Sequence, residues 1–418
     1  MKKDGSRIST EIKKELKRRK KVDKNLLPLM MPTFGHEEIL EAVDSLLSLN
    51  VTMGKKVERY EAAFSKFLDV RYSTMVNSGS SANLLGLTIL SNPTIKRPIQ
   101  KEDEILVPAV TWSTSIFPIL NIGATPVFVD VDEDYLIDTE KMKELIGERT
   151  RAVIPVHLLG NVCDMGIIQD LAQDHGLYIM EDCCEALGSR YKGKMVGNFS
   201  DVSTFSSYFS HHITTVEGGM LCTKEEEYAD LSRILRAHGY VRHSLHKSEF
   251  VGQNPTIDPR FLFVNMGYNF RPMEIQGAFG IHQLRKLQGF LKRRRAIGQK
   301  LVANLKKYEE FLRLPREKKD TTHSWFVFPL TVRDNRFFKR EDLTNFLEAH
   351  GIETRPLVCG NFEEQPAMAL FKHRKGDLTN SRNVMRNSFY IGIHPLISDG
   401  TIKKVSAIFD EFFTRALK

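Results

Sequence analysis

The 418-residue chain lacks an apolar run long enough to cross a bilayer, and its first residues lack the apolar core of a secretory signal. Its five cysteines include no C-x-x-C pair, so their spacing indicates neither a zinc site nor a redox dithiol. The sequence also has no internal repeat and no low-complexity tract. We therefore expect a globular, cytoplasmic protein with no membrane span.

The net charge of +8 would suit nucleic acid if it were spread over a folded surface. Instead, residues 1–24 hold 11 lysines and arginines against 4 aspartates and glutamates, which accounts for +7 of the total. The rest of the chain is nearly neutral, so we predict no nucleic-acid partner. We treat residues 1–26 as a basic extension, solvated in preference to an oligomer contact or a tether to an acidic surface.

From residue 27 onward, helical and strand-like patterns alternate. Short apolar or β-branched runs, typical of buried strands, lie at 103–110, 125–132, 151–159, 177–184 and 202–209. Helical segments separate several of these runs, and a long helical stretch follows at 271–312. Strands that alternate with helices predict an α/β fold with a mostly parallel sheet covered on both faces. We predict a large domain over 27–285 and a smaller C-terminal α/β domain over 286–418.

Three polar features lie where an α/β fold can bind a ligand. Gly79 and Ser80 precede an apolar helical pattern, and the free N–H groups of a helix start hold anions, although Ser and Gly are also ordinary caps. Asp182 ends an apolar run, where it can pair with a protonated ring nitrogen or cap the next turn. Trp112 follows another such run and either offers a flat face to a ring or packs in the core.

The segment "SSYFSHHITTVEGG" (206–219) places two histidines side by side. A metal site is disfavoured, because adjacent side chains on an extended segment diverge and no companion lies at the usual ligand spacing. An imidazole with an ordinary pKa of about 6.5 can take and return a proton near neutral pH. His211 and His212 can therefore be catalytic groups or packed imidazoles.

In chain order, "TMGKKVERYE", "NSGSSANL", "VPAVTWST", "EDCCEALGS", "EGG", "GYNFRP" and "SWF" resemble the sugar aminotransferase family of fold-type-I pyridoxal-phosphate enzymes. The resemblance covers nearly the whole chain after the basic extension. In that family a serine lies five residues before a lysine that binds the cofactor covalently. Here Ser206 holds the serine position but His211 replaces the lysine, and no lysine occurs between Lys194 and Lys224.

The exchange of lysine for histidine is similar to the branch of this family that removes the hydroxyl on carbon 3 of 4-keto-6-deoxy sugars. Imidazole does not form the stable link to the cofactor that an amine forms, so the resemblance implies pyridoxamine phosphate as the resting form of pyridoxal phosphate. It also implies ammonia as a product and L-glutamate as the amino donor. One subtype of this branch groups several cysteines after the histidine motif for an iron–sulfur cluster. Only Cys222 and Cys359 follow it here, so no cluster is expected.

Residue roles follow from the resemblance, position by position. His211 is the implied base that takes a proton and returns it to the leaving hydroxyl. The implied cofactor contacts are Gly79, Ser80, Trp112, Asp182, Glu185, Ser206 and Asn269. Asn269 would reach the cofactor from a partner subunit, which implies a homodimer with shared active sites. The implied substrate-binding residues are Arg242, His238 and Ser210.

Two of these positions have a plain structural alternative. Arg242 suits the glutamate carboxylate because a guanidinium binds a carboxylate through two hydrogen bonds, but it can equally form a surface salt bridge. His212 is expected to orient its neighbour or to pack in the core. No metal site is expected.

The resemblance favours GDP-4-keto-6-deoxy-D-mannose as substrate, although no residue of the sequence identifies the nucleotide, and a differently configured hexose or a heptose fits the same reasoning. Two other functions stay open. One is an ordinary nucleotide-sugar aminotransferase that uses another lysine. The other is a non-catalytic protein of this fold that lost its lysine, which the intact cofactor positions disfavour.

Overall fold

The computed structural model describes residues 2–19 and 25–418; residues 1 and 20–24, all within the predicted basic extension, lie outside the described residues. The helices are α1 (Lys2–Arg19), α2 (His36–Leu47), α3 (Lys55–Leu68), α4 (Gly79–Leu90), α5 (Phe117–Asn121), α6 (Thr139–Leu145), α7 (Met165–His175), α8 (Glu226–Arg236), α9 (Lys247–Gln253), α10 (Glu274–Leu305), α11 (Arg340–Ala349), α12 (Thr379–Asn387) and α13 (Asp399–Ala416). The strands are β1 (Tyr72–Val76), β2 (Glu104–Pro108), β3 (Thr125–Val129), β4 (Thr150–Val153), β5 (Tyr178–Asp182), β6 (Arg190–Tyr191), β7 (Lys194–Met195), β8 (Val202–Ser206), β9 (Gly219–Thr223), β10 (Leu312–Arg313), β11 (Thr321–Thr322), β12 (Val327–Val332), β13 (Thr354–Pro356), β14 (Arg374–Lys375) and β15 (Ser388–Gly392).

The large sheet has the strand order β1-β9-β8-β5-β4-β2-β3-β14. Neighbouring strands from β8 to β14 are parallel, whereas β9 runs antiparallel to both β1 and β8. The five apolar runs of the sequence form β2, β3, β4, β5 and β8, and β2, β3 and β8 are buried along their whole length. Parallel strands covered on both faces have this continuous apolar character. The predicted α/β fold class is confirmed.

A second, antiparallel sheet has the order β10-β12-β15-β13. It shares a separate hydrophobic core with residues of α10, α11 and α13, and this core includes Leu27, Trp325, Phe328, Phe389 and Phe409. Two features cross the boundary predicted after residue 285. Helix α10 spans it, and β14 pairs with β3 in the large sheet. The domain division stays a prediction.

Two helices, α10 and α1, differ from the sequence-based prediction. Helix α10 ends at Leu305 rather than continuing to 312, because the chain turns there to enter β10. Helix α1 packs against α2, with Ile8, Ile12 and Leu16 half-buried, so part of the basic extension is in contact with the fold. No helix in the described residues is long and apolar enough to cross a membrane. The cytoplasmic location stays a prediction.

Candidate active site

The start of α4 and the end of β8 form a cup of N–H and hydroxyl groups. Ser78 caps α4, and its Oγ accepts a hydrogen bond from the Ser81 N–H at 3.1 Å. The N–H groups of Gly79 and Ser80 belong to the first turn, which has no intrahelical acceptors. A Cβ on Gly79 would lie 2.7 Å from the Ser206 Cβ, so only glycine lets the two elements come this close. The cup suits an anion such as a phosphate group.

Asp182 is the last residue of β5 and is only 4% exposed. Its Oδ2 accepts hydrogen bonds from Asn83 Nδ2 at 2.8 Å and Ser115 Oγ at 2.7 Å, and its Oδ1 accepts one from the Cys184 N–H at 3.1 Å. Asn83 lies one turn into α4, the helix whose start forms the cup. A carboxylate has about four acceptor positions, so Asp182 is fixed yet can accept one more donor.

These features are suited to pyridoxal phosphate. The cup can hold a phosphate, and the Cys184 Sγ lies 3.3 Å from the position of a Gly79 Cβ, which brings the Asp182 turn beside the cup. Trp112, after β2, is 57% exposed, so its ring is available to a ligand and is not part of the core. An anion cup, a fixed carboxylate and an exposed aromatic face are what the cofactor needs.

Glu185 lies on the turn that follows Asp182. Its Oε2 accepts a hydrogen bond from the Leu159 N–H at 2.8 Å. Burial raises the pKa of Glu185 to about 7; the Leu159 N–H opposes this rise, and the charge of Asp182 adds to it. Glu185 can therefore hold or release a proton close to neutral pH.

His211 lies in the turn after β8, where its backbone N–H donates to the Tyr208 carbonyl at 2.9 Å. Its ring lies between Tyr208 and Phe326, with ring centroids 5.9 Å and 5.0 Å away. The buried Nδ1 has no hydrogen-bond partner among the described residues. Burial and the charge of Arg294 lower the pKa of His211 to about 3. At neutral pH the imidazole is therefore uncharged, as a proton acceptor must be.

His212 does not point away from His211 in the way expected for an extended segment. The chain turns at 209–213, and both rings lie against Phe326, with the His212 centroid 5.6 Å away. That expectation was wrong because the turn replaces the extended conformation. His212 is buried, its Nε2 donates to the Ser324 carbonyl at 3.3 Å, and burial lowers its pKa. These contacts are those of a packed imidazole.

The geometry gives no support for a metal at this histidine pair. Within the described residues, the group of side chains close enough to share an ion consists of His157, Glu181 and Cys183, and it is fully buried. His157 Nε2 lies 3.0 Å from Glu181 Oε1, and the Cys163 N–H donates to its Nδ1 at 3.2 Å. Both ring nitrogens are thus engaged by protein groups.

The loop at 158–160 joins Glu185 to the wall behind His211. Leu159 adopts a left-handed conformation, with φ of 59°. Its N–H bonds Glu185, and its carbonyl accepts the Phe326 N–H at 3.0 Å. One residue therefore sets the position of a titratable carboxyl on one side and of the aromatic ring against His211 on the other.

His238, Arg242 and Asn269 form a second group. The rings of His238 and Tyr240 are 5.6 Å apart, and the Arg242 guanidinium lies 5.7 Å from the centre of the same tyrosine ring. Asn269 pairs in a bridge with Ala237 and accepts a hydrogen bond from Arg271 Nε at 3.0 Å. In the described part of the chain, no side-chain hydrogen bond, ion pair or ring contact joins this group to His211. Ser210, which directly precedes His211, is half-buried.

Sequence reasoning missed several residues that shape the site. They are Asn83, Ser115, Leu159, Tyr208 and Phe326. The position of Asn83 one turn after the cup was a usable signal, and Phe326 belongs to the "SWF" motif, to which no role was given. Leu159 carries no signal, because only its backbone is used.

Residues 32–410 match the DegT/DnrJ/EryC1/StrS aminotransferase family, and the chain belongs to this family. A GDP-4-keto-6-deoxy-D-mannose 3-dehydratase from Yersinia pseudotuberculosis is 37% identical over 385 residues, which cover 90% of this chain and 96% of the relative. A dTDP-4-dehydro-2,6-dideoxy-D-glucose 3-dehydratase from Saccharopolyspora spinosa is 35% identical over 387 residues, covering 90% of this chain and 84% of the relative.

A solved structure gives the same result at the level of the fold. The crystal structure of a GDP-4-keto-6-deoxymannose-3-dehydratase with a trapped PLP-glutamate geminal diamine superposes with a TM-score of 0.85 at 33% identity. The match covers 91% of this chain and 99% of that chain. The predicted fold-type-I architecture is thereby confirmed.

Proposed function

We propose that the chain is a pyridoxamine-phosphate-dependent 3-dehydratase of a nucleotide-linked 4-keto-6-deoxy sugar. The observation that carries the proposal is His211, which stands five residues after Ser206 where the family has its lysine, with a buried, unpartnered Nδ1. The similarity to two 3-dehydratases that act on different nucleotide sugars supports the reaction class.

The residues around the cup would hold the cofactor. Gly79, Ser80 and Ser206 would bind its phosphate, Asp182 its ring nitrogen and Trp112 one face of its ring. The cofactor supplies an amine that condenses with the 4-keto group and a ring that stores the electrons while the carbon-3 hydroxyl leaves. Glu185, with a pKa of about 7, would lie beside the ring.

His211 would move the proton. As a neutral imidazole it can accept a proton from the adduct of cofactor and sugar and, once protonated, donate it to the departing hydroxyl. A lysine at this position would instead bind the cofactor covalently and favour amino transfer. In the described residues, no lysine is hydrogen-bonded or ion-paired with Asp182, Glu185 or His211. Histidine at position 211 therefore supplies a base but lacks the amine that would bind the cofactor covalently.

The reaction balances with glutamate as the only co-substrate. The sugar would lose its carbon-3 oxygen and keep the 4-keto group, and the amine nitrogen would leave as ammonia, with the oxygen lost by the sugar balanced by oxidation of the amine to an aldehyde. Glutamate would supply the next amine and become 2-oxoglutarate. The relative solved with a PLP-glutamate adduct supports glutamate as the donor.

For the sugar, we favour GDP-4-keto-6-deoxy-D-mannose. The basis is the similarity to the Yersinia pseudotuberculosis relative, 37% identical. The 35% identical relative is named for a dTDP-linked sugar, so dTDP is the main competitor of GDP.

A homodimer with shared active sites would complete the site. Among the described residues, Asn269, Arg242 and His238 make no contact with His211 of the same chain, as expected if they serve the site of a partner subunit. Apolar side chains around Asn269 support this arrangement because they are exposed in the single chain: Phe261, Phe263, Met266 and Met273. Exposed apolar surface of this kind marks interfaces. Arg242 would bind the glutamate carboxylate there.

The test incubates the protein with pyridoxal phosphate, glutamate and GDP-, CDP- and dTDP-linked 4-keto-6-deoxy sugars. We expect ammonia release and a sugar that has lost one oxygen, most rapidly with the GDP-linked sugar. A stable 4-amino sugar would instead establish an aminotransferase, and no turnover of any sugar would favour the non-catalytic alternative. Borohydride reduction followed by peptide mapping is the control, because only a lysine that binds the cofactor leaves a tagged peptide.

A further inference from the structure

Arg294 is a buried cation without a balancing carboxylate. It lies on α10 and is only 3% exposed. Its Nη1 lies 3.1 Å, 3.0 Å and 2.5 Å from the carbonyl oxygens of Trp325, Phe326 and Ile393. Its Nε has no acceptor, and within the described residues no carboxylate forms an ion pair with it. A guanidinium buried in this way is costly and rare unless it has a specific use.

The carbonyls that Arg294 binds belong to the wall behind His211. Phe326 presents its ring to both His211 and His212, and the preceding Trp325 is buried with a left-handed φ of 56°. By holding the carbonyls of Trp325 and Phe326, which flank the Phe326 side chain, and that of Ile393, Arg294 fixes the segment that positions the aromatic ring.

Arg294 also acts on His211 through its charge. Among the described residues, the rings of Tyr208, on the same loop, and Phe326, directly before β12, contact His211. The nearby titratable or charged groups are His212 on the same loop and Arg294 on α10. Of these groups, the Arg294 guanidinium is the one that is positively charged at neutral pH. Burial lowers the pKa of His211, and the guanidinium lowers it further, because a second positive charge in a poorly solvated site is unfavourable.

We propose that Arg294 is a positioning residue of the dehydration: it fixes Phe326 behind His211 and brings an unbalanced positive charge to the wall of the site that holds this base. The same charge makes the protonated imidazole a stronger acid, which assists return of the proton to the leaving hydroxyl. This inference rests on the proposed function in one respect, the assignment of His211 as the base.

The test compares Arg294→Gln, which keeps donors for the carbonyls but removes the charge, with Arg294→Lys, which keeps the charge. The pKa of His211 is measured on the cofactor-loaded protein by NMR titration of labelled histidine rings, and the His211→Asn variant identifies its signal. We expect the pKa of His211 to rise by about 1 pH unit or more in Arg294→Gln and to stay near the wild-type value in Arg294→Lys. The acid limb of the dehydration rate should move to higher pH in Arg294→Gln by the same amount.

A folded Arg294→Gln protein with an unchanged pKa of His211 would overturn the inference. So would a wild-type His211 that titrates at its ordinary value, a measurement that needs no variant if Arg294→Gln fails to fold. Failure of the proposed function is a different result: the wild-type protein would release no ammonia while the shift in the His211 pKa between the variants persisted.

Discussion

Two regions beside the large sheet each contain a histidine, and they differ in what surrounds the ring. His157 has a partner on each nitrogen, the Cys163 N–H and the Glu181 carboxylate. Burial lowers its pKa, but the side chains of Cys163 and Glu181 outweigh burial and raise it. His211 has aromatic neighbours, an unpartnered Nδ1 and a cation nearby, and its pKa is lowered to about 3.

This is the difference expected between a structural imidazole and a reactive one. The Glu181 carboxylate is held in turn by the Gly197 and Phe199 N–H groups and by the Ser200 hydroxyl, so the His157 cluster is complete without a ligand. At the His211 site the Nδ1 atom has no partner, and under the proposed function this site and the anion cup would be completed by a ligand. Removing each histidine should therefore affect different properties.

The largest effect should come from His211→Asn. Loss of a positioned general base lowers the rate by about a hundred- to ten-thousand-fold. We expect a loss of this size in the single-turnover rate of ammonia release from the amine-loaded enzyme, measured by rapid quench. Because the His211 Nδ1 has no partner to lose, the free energy of unfolding should change by less than about 1 kcal/mol. Turnover within tenfold of the wild-type rate would contradict the role of His211.

His157→Leu should show the opposite pattern. Breaking a buried pair leaves the Glu181 charge without its imidazole, which costs about 3 kcal/mol or more. We expect the free energy of unfolding in urea to fall by this amount, whereas the protein that remains folded releases ammonia at close to the wild-type rate. A variant as stable as the wild type, but inactive, would erase the distinction between the two regions.

Gly79→Ala tests the cup. The new methyl group would lie 2.7 Å from the Ser206 Cβ, so the start of α4 and the end of β8 must separate. Overpacking of this kind costs about 1–3 kcal/mol, and we expect weaker cofactor binding in an absorbance titration. Gly147→Ala is the matched control, because no heavy atom lies within 4 Å of its Cβ position. Equal cofactor affinity in the two variants would rule out the proposed cup.

The smallest effect concerns pH and Glu185. Its pKa is raised in the folded protein to about 7, so the folded state binds the proton more tightly than the unfolded state does, and stability falls as pH rises from about 4.5 to 7. In Glu185→Gln this part of the fall should disappear. Unfolding midpoints measured across that pH range in both proteins check the expectation, and parallel curves would show that Glu185 titrates normally.

The sequence predicted the parts of the fold that depend on local pattern. Apolar runs located β2, β3, β4, β5 and β8, because buried parallel strands are continuously apolar. Strands β1, β9 and β14 of the large sheet were missed. β1 lies at the edge of the sheet and pairs with β9, and β9 begins at the second of two glycines and runs antiparallel to both neighbours. β14 has two residues and joins the sheet from a distant part of the chain. Pairing over such distances leaves no local signal.

For the site, too, contacts between distant parts of the chain could not be predicted from the sequence. The motifs brought Gly79, Asp182, Glu185, Ser206 and His211 into one group, and the structure places these residues around one connected set of contacts. Leu159, Phe326 and Arg294 were not predicted. The first acts through its backbone, and the other two through packing between elements that are far apart in sequence.

The most direct test of the account follows the amino nitrogen of glutamate. The protein is loaded with pyridoxal phosphate, given isotopically labelled glutamate and GDP-4-keto-6-deoxy-D-mannose, and its products are analysed by mass spectrometry. We expect the label in free ammonia and a sugar with one oxygen fewer and no nitrogen. Label retained in the sugar as a 4-amino group would contradict the claim that histidine at position 211 changes amino transfer into deoxygenation.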